Sequence, residues 1–270
     1  MLHYLGKVVL DCRAALRVVE GLWTWYRRSW RATVISSLLA PLLYLVAFGV
    51  GFGALVNASP RAVQATGGLP YLHYLAPALL VVSAVQIAAV ESSYPVFSAF
   101  KWSRTYEAIT ATPITPGQLV AGQLAWIAVR LGLSGTAYLL VVTLFGAIRG
   151  PGVLIALVCA VLCGMAFGAP VMAFAASQER EGGMFSAIFR FVVLPMTLFS
   201  GTFFPVSQLP WAIQLLAVVS PLWHGTELAR AASVGTLSWW PAVGHVGYLI
   251  GWLGLGALLC VWRFRVRLAR

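Results

Sequence analysis

Glu91 and Arg130 read as the two charges inside the long apolar runs of this chain. A charge at membrane depth is costly enough to need a partner or a water-filled path, which makes both candidates for function. Counting about 1.5 Å per helical residue from the loop that joins their two runs, Glu91 lies about 12 Å deep and Arg130 about 18 Å deep. Two long side chains can bridge that gap, and Gln123 falls at a similar level. The spacing allows two readings: a buried structural pair, or a polar group that touches a substrate.

Other chemistry is sparse. The lysines are Lys7 and Lys101, and neither follows a G-x-x-x-x-G-K-[ST] loop, so no phosphate cradle for ATP hydrolysis is present. No H-E-x-x-H, G-x-S-x-G or paired-carboxylate motif occurs, and no catalytic, cofactor or metal site is expected. His224 and Glu227, three apart on one helical face, are the closest approach to a histidine–acid pair. They suit either helix capping and interface contacts or a metal or catalytic role. Cys12, Cys159, Cys163 and Cys260 are scattered; Cys159 and Cys163 share a helix face but lack nearby His or acid, so they read as small packing residues.

These residues must be positioned by membrane helices. Sixty per cent of the chain is apolar and nine per cent charged, so most of it faces lipid or the interior of a helical bundle. The net charge of +11 could suggest nucleic acid, but the cations sit beside apolar spans, where headgroups and topology account for them, and nucleic acid is not expected as a partner. Residues 1–33 read as a cytoplasmic amphipathic interfacial segment with no cleavable signal. Leu5, Val8, Val9, Cys12, Leu16 and Val19 share one side, and Lys7, Asp11, Arg17 and Glu20 the other. Trp23, Trp25 and Trp30 then mix with Arg27, Arg28 and Arg31 as a headgroup anchor.

Residues 34–270 read as a six-span domain. The expected spans are about 34–55, 71–99, 118–145 and 152–176, a fifth starting near Met184, and a sixth at 240–262. Gly49 with Gly53, Gly164 with Gly168, and Gly247 with Gly251 have small-xxx-small spacing, suited to close helix contact. Between Pro195 and Trp223 the chain stays apolar, yet Gly201, Pro205, Pro210 and Pro221 interrupt it too often for a straight crossing. This predicts a re-entrant pair of short helices, followed by a polar stretch from His224 to Ser238. Lys and Arg gather in the N-terminal segment, the loop Lys101–Pro116, the region around Arg180 and Arg190, and the C-terminal tail. Both ends and that loop are therefore expected in the cytoplasm. Within the loop, Ser103–Thr112 reads as a short helix stopped by Pro113 and Pro116, with Tyr106, Ile109 and Thr110 on one side and Arg104, Glu107 and Ala111 towards the other. It could be a docking element or a solvated connector.

The stretches YLHYLAPALL, ESSYPVFSAFKWSRTYEAITATPITPGQLVAGQ, LFSGTFFPVSQLPWAIQ and SPLWH, in this order, resemble type-2 ABC-exporter permeases, and among them the nodulation-protein-J-like branch. The resemblance covers roughly residues 23–262. It implies a homodimer of six-span permeases, each bound to a separate ATP-binding subunit that would hold ATP and magnesium. Under it, Ser103–Thr112 corresponds to the coupling helix, with Arg104, Thr105, Tyr106, Glu107 and Ile109 as its contacts to the ATPase. Phe203–Trp223, with Gly201, Phe203, Phe204, Pro205 and Pro210 as marker residues of the region, corresponds to the outer re-entrant segment. Lys101, Trp102 and Ser103 depart from the basic stretch expected before the coupling helix, which implies a partner with its own matching groove.

The function expected is that of a multi-pass permease subunit in the cell membrane, moving an amphipathic lipid, glycolipid or drug outward. An embedded enzyme acting on lipid headgroups would need a convergent cluster of acids and histidines. A secondary transporter would be expected to show coupling-ion carboxylates and broken helices in two repeated halves. One intramembrane acid and one broken segment favour the exporter over both.

Overall fold

The computed structural model describes residues 2–147, 150–180 and 182–269, with residues 2–12, 29, 32–34, 36–38, 40, 50 and 62 described by backbone alone. The described residues are helical with no strand, as a chain that must satisfy its own backbone hydrogen bonds in lipid requires. Helix α1 (Leu2–Tyr44) continues through a π-helical stretch, Leu45–Phe52, into α2 (Gly53–Ala58) and a short α3 (Pro60–Ala65). Next come α4 (Tyr71–Ser92), α5 (Tyr94–Lys101), α6 (Thr105–Thr110), α7 (Pro116–Leu144) and α8 (Gly152–Ser177). A broken segment follows: α9 (Met184–Ile188), π-helical Phe189–Val193, and α10 (Leu194–Phe199). The chain closes with α11 (Trp211–Val219), α12 (Pro221–Val234) and α13 (Trp239–Leu268).

Among the described residues, five stretches are long and apolar enough to cross a membrane: Pro41–Ala58, Tyr71–Lys101, Pro116–Leu144, Gly152–Ser177 and Trp239–Leu268. The expected fifth span is instead a shorter apolar helix, Met184–Phe199. At about 1.5 Å per residue it reaches roughly 24 Å, less than a hydrocarbon core of about 30 Å. Its two ends nevertheless lie far apart along α4 and α5. Phe185 packs on Tyr94 and Phe97 with ring centroids 4.8 and 5.8 Å away, while Gly201, just past its end, accepts a hydrogen bond from the Tyr74 hydroxyl at 3.2 Å.

Helix α8 sits at the centre, packed against α4, α7, α12 and α13. Small residues make this possible: a Cβ on Gly164 would lie 3.0 Å from the Ala84 carbonyl oxygen, and one on Gly168 2.9 Å from Ser92 Oγ. The Gly164–Gly168 face is therefore used inside the subunit, against α4. Gly49 is used internally too, because its Cβ would lie 2.7 Å from the Leu72 side chain. Gly247 and Gly251 have nothing within 4 Å of a Cβ, so their face of α13 is open.

The first helix runs through position 33 without a break, so interfacial segment and first span are one continuous element. It packs along α7, where Gly122 admits Val18 and the Ala15 carbonyl. Val18 and Tyr26 are buried there, whereas Leu16, expected on the apolar side, is exposed. The side chains of Leu5, Val8, Val9 and Cys12 lie outside those described, as do Arg149, Glu181 and Arg270. A second correction concerns His224–Ser238. Most of this stretch is helix α12, begun by Ser220, whose hydroxyl accepts from the Leu222 amide, and ended by Gly235 at φ 80°. His224, Thr226, Leu228, Ala229 and Ala232 are buried along it, so the stretch expected to be polar is a packed element.

Candidate substrate cleft, charged pair and coupling loop

The loop between α5 and α7 is shaped by its sequence. Thr115 and Gln118 form a capping box, with Thr115 N donating to Gln118 Oε1 at 2.8 Å, and Pro116 occupies the first turn of α7, where no backbone N–H is needed. Before it, Arg104 adopts a left-handed conformation (φ 49°), the one non-glycine residue with positive φ among those described, and turns the chain into α6. The helix is two-sided, as its sequence predicts. Arg104, Thr105 and Glu107 are exposed, while Tyr106 is buried and Ile109 partly so. The Tyr106 ring meets Phe100 at 4.8 Å and Phe264 at 5.3 Å between centroids, which ties the loop to the end of α13. Burial raises the Tyr106 phenol well above its ordinary pKa, so it stays neutral. Arg267 lies over Phe100 at 4.3 Å and donates to the Ala176 carbonyl at 2.9 Å, which adds the end of α8.

Deeper in the bundle, Arg130 and Glu91 are joined at 3.2 Å, with side chains 5% and 17% exposed. The Arg130 guanidinium also lies 4.5 Å over the Tyr26 ring, and Tyr26 and Trp23 both pack on Trp126. One buried charge pair therefore links α1, α4 and α7. Gln123 is buried two turns away on α7. Arg130 Nε has no hydrogen-bond partner, a cost its other contacts must offset.

A cleft of about 790 Å³ opens between the first helix, α4 and the broken segment. Both flanking walls include π-helix: Tyr44, at the end of α1, and Phe48 and Phe52 on the π-helical stretch run down one side, and π-helical Phe189, Arg190 and Val193 line the other. π-Helical turns are rare and frequent at functional sites, because the widened turn re-aims side chains. Phe203 and Phe204 close one end of the cleft, and Phe203 stands 5.1 Å from Phe48 and 6.0 Å from Tyr44. The loop that carries them is held from below. The Tyr71 hydroxyl donates to the Phe203 carbonyl at 2.9 Å, and Arg230 to the Gly201 carbonyl at 2.7 Å. Thr226 donates to the Ser200 carbonyl at 3.1 Å.

His224 and Glu227 turn to different partners. Glu227 pairs with Arg230 at 2.9 Å, and His224 Nδ1 lies 2.7 Å from His245 Nδ1 on α13. His224 Nε2 is 2.9 Å from the Val218 carbonyl, which can only accept, so Nε2 carries the proton and the neutral ring's Nδ1 accepts from His245. Among the described residues no three of His, Cys, Asp and Glu gather to hold a metal.

A family model described as ABC-2 type transporter matches residues 17–233, most of the chain. The chain belongs to this family. As an ABC-2 protein it is the multi-pass membrane permease of an ABC exporter, a transport component. It is similar to the nodulation protein J of Rhizobium meliloti strain 1021, 33% identical with 88% of each chain covered. It is also similar to nodulation protein J of Rhizobium leguminosarum bv. trifolii, 32% identical over 93% of this chain and 94% of that one. To that of Sinorhizobium fredii NGR234 it is 35% identical, over 78% and 81%. No solved structure matches.

In this ABC-2 permease, Glu91 and Arg130 come together as their depths suggested. Arg104, Thr105 and Glu107 share an exposed face of the loop helix, whereas Tyr106 and Ile109 face inward. Gly201, Phe203, Phe204 and Pro205 lie in the loop after α10, and Pro210 precedes α11. Sequence reading missed Arg190 as a cleft residue, Arg230 as the group that holds Gly201, and His245 as the partner of His224. Arg190 carried a signal, a lone cation six residues into an apolar helix. The other two depend on contacts between residues 21 and 29 positions apart.

Proposed function

We propose that this permease moves an amphipathic molecule, such as a lipid-linked oligosaccharide or a hydrophobic drug, outward through the aromatic cleft. The power comes from a separate ATP-binding subunit, which holds ATP and magnesium and docks on the exposed Arg104–Thr105–Glu107 face. The observation that carries this is the cleft. Its volume lies within the range of small-molecule sites, it is walled by aromatic and aliphatic side chains with few polar groups, and it is closed at one end by a loop with defined ties. Tyr106 supports the docking reading as a buried anchor, since a push on α6 is passed through Phe100 and Phe264 to α13. With Met184–Phe199 counted as a sixth crossing, residues 2 and 269 fall on the same, cytoplasmic side, in agreement with the positions of Lys and Arg. A second copy of the chain completes the pathway, in the cell membrane.

The test is ATP-dependent transfer of a fluorescent acyl-glycan across inside-out vesicles that hold the permease and its ATP-binding subunit. Val90→Trp and Leu198→Trp, which fill the cleft, should block transfer while leaving membrane level and subunit pull-down unchanged. Transfer at the unaltered rate in both variants overturns the assignment.

A further inference from the structure

Among the described residues, Arg190 is the one charged side chain lining the cleft, and no carboxylate pairs with it. Arg130 and Arg230, by contrast, are both spent: Arg130 on Glu91 and Tyr26, and Arg230 on Glu227, Tyr74 and the Gly201 carbonyl. Arg190 stands apart from them. It is exposed at the cleft wall, on the π-helical turn that widens the helix at that point, about 9 Å along the segment from Met184. Gln86 on α4 lines the same cleft and supplies an amide with donors, while the remaining walls are aromatic and aliphatic.

An unpaired guanidinium among apolar walls is expensive unless something anionic shares the site. The planar fork of an arginine also matches a carboxylate, sulfate or phosphate through two parallel hydrogen bonds. We propose that Arg190 is the headgroup reader of the cleft, and that the substrate class is an amphipathic anion. Its apolar tail would lie along Phe48, Phe52 and Leu198, and its anionic group would sit at Arg190 within reach of Gln86. This rests on the cleft being the substrate site, as proposed above, and names the chemistry that the site selects.

The test uses the purified full chain in nanodiscs of phosphatidylcholine, a bilayer without net charge that does not itself favour anions. The probes are dansyl-undecanoate and its methyl ester, which share a tail and differ in headgroup charge. Dansyl emission reports entry into the apolar cleft. The carboxylate should bind about tenfold more tightly than the ester. Arg190→Gln should cut that preference below about threefold by weakening the carboxylate alone, and Arg190→Lys should keep part of it. Equal binding of the two probes to the unaltered chain overturns the proposal, as does a preference that survives Arg190→Gln. A changed oligomeric state in Arg190→Gln with unchanged selectivity also overturns it, by placing Arg190 against the second copy. If Val90→Trp displaces neither probe, the cleft is not the binding site, and this inference falls together with the reading it rests on.

Discussion

Arg230 and Gly201 are held together by a hydrogen bond of 2.7 Å from the guanidinium to the carbonyl, while the same guanidinium lies 3.8 Å over the ring of Tyr74. The Tyr74 hydroxyl donates to the same carbonyl at 3.2 Å. Gly201 adopts φ 79°, a left-handed conformation natural to glycine, which turns its carbonyl towards both donors. Helices α4 and α12 thus grip the loop that carries Phe203 and Phe204 into the cleft, and a charge-assisted bond of this kind is worth about 1.5 to 3 kcal/mol. Arg230→Ala should therefore raise hydrogen exchange at amides 200–204 by about tenfold or more, with α8 amides unchanged. Protection at 200–204 equal to the unaltered chain would show that the grip lies elsewhere.

The buried pair predicts a coupled double-mutant cycle. Glu91→Gln or Arg130→Gln alone leaves one charge without its partner and should cost roughly 3 to 5 kcal/mol, whereas a joint replacement by apolar residues of similar size can be nearly neutral. Thermal midpoints of the two singles and of Glu91→Gln combined with Arg130→Gln give the coupling, and Glu91→Leu with Arg130→Met tests the apolar replacement. Purely additive losses would mean that the 3.2 Å contact contributes nothing.

Tyr106 and Glu107 are neighbours in sequence and should separate in phenotype. Tyr106→Ala removes a buried ring and should lower the thermal midpoint, by an amount corresponding to about 3 kcal/mol or more. Glu107→Lys, on the exposed side, should leave the midpoint within experimental error and weaken pull-down of the ATP-binding subunit. Pull-down is the deciding measurement: if Glu107→Lys leaves it unchanged, the docking face is not this one.

Small residues divide in the same way. Gly164→Leu forces a side chain into the Ala84 carbonyl and Leu131, and should prevent folding or cost several kcal/mol. Gly251→Leu meets open space and should leave the fold intact, while weakening crosslinking between copies if the open face of α13 is where they meet. A stable, fully crosslinked Gly251→Leu protein would exclude that face as a contact between copies.

Burial holds the His224 pKa below its ordinary value, so the folded state resists protonation there. With the folded value below the unfolded one, the associated stability is present above about pH 6.5 and is lost as pH falls below it. The thermal midpoint should drop between pH 7.5 and 5.5, and His224→Phe should flatten that drop. A pH slope unaffected by His224→Phe would assign the titration to another group.

Much of the membrane architecture was legible in the residues because it follows from local rules. Apolar length set the spans around α4, α7, α8 and α13, and Pro113 and Pro116 marked the break between α6 and α7. Charge placed inside apolar runs singled out Glu91 and Arg130, since burial of either alone is too costly. The two sides of α6 were also readable from spacing, but which side meets the protein was not. Tyr106 suits a partner's groove or its own subunit's core equally well, and only the position of Phe264, more than 150 residues along the chain, decides between them. The same limit applies to Met184–Phe199, whose composition reads as a span but whose length falls short, and to α12, whose polar residues find buried partners. Tertiary structure alone decided the cleft, because its walls come from three separate stretches of chain and its single cation gains meaning only when no acid is found beside it. Periodicity and composition act within a helix; the choice of neighbour is made between helices, by shape and by pairing of charge.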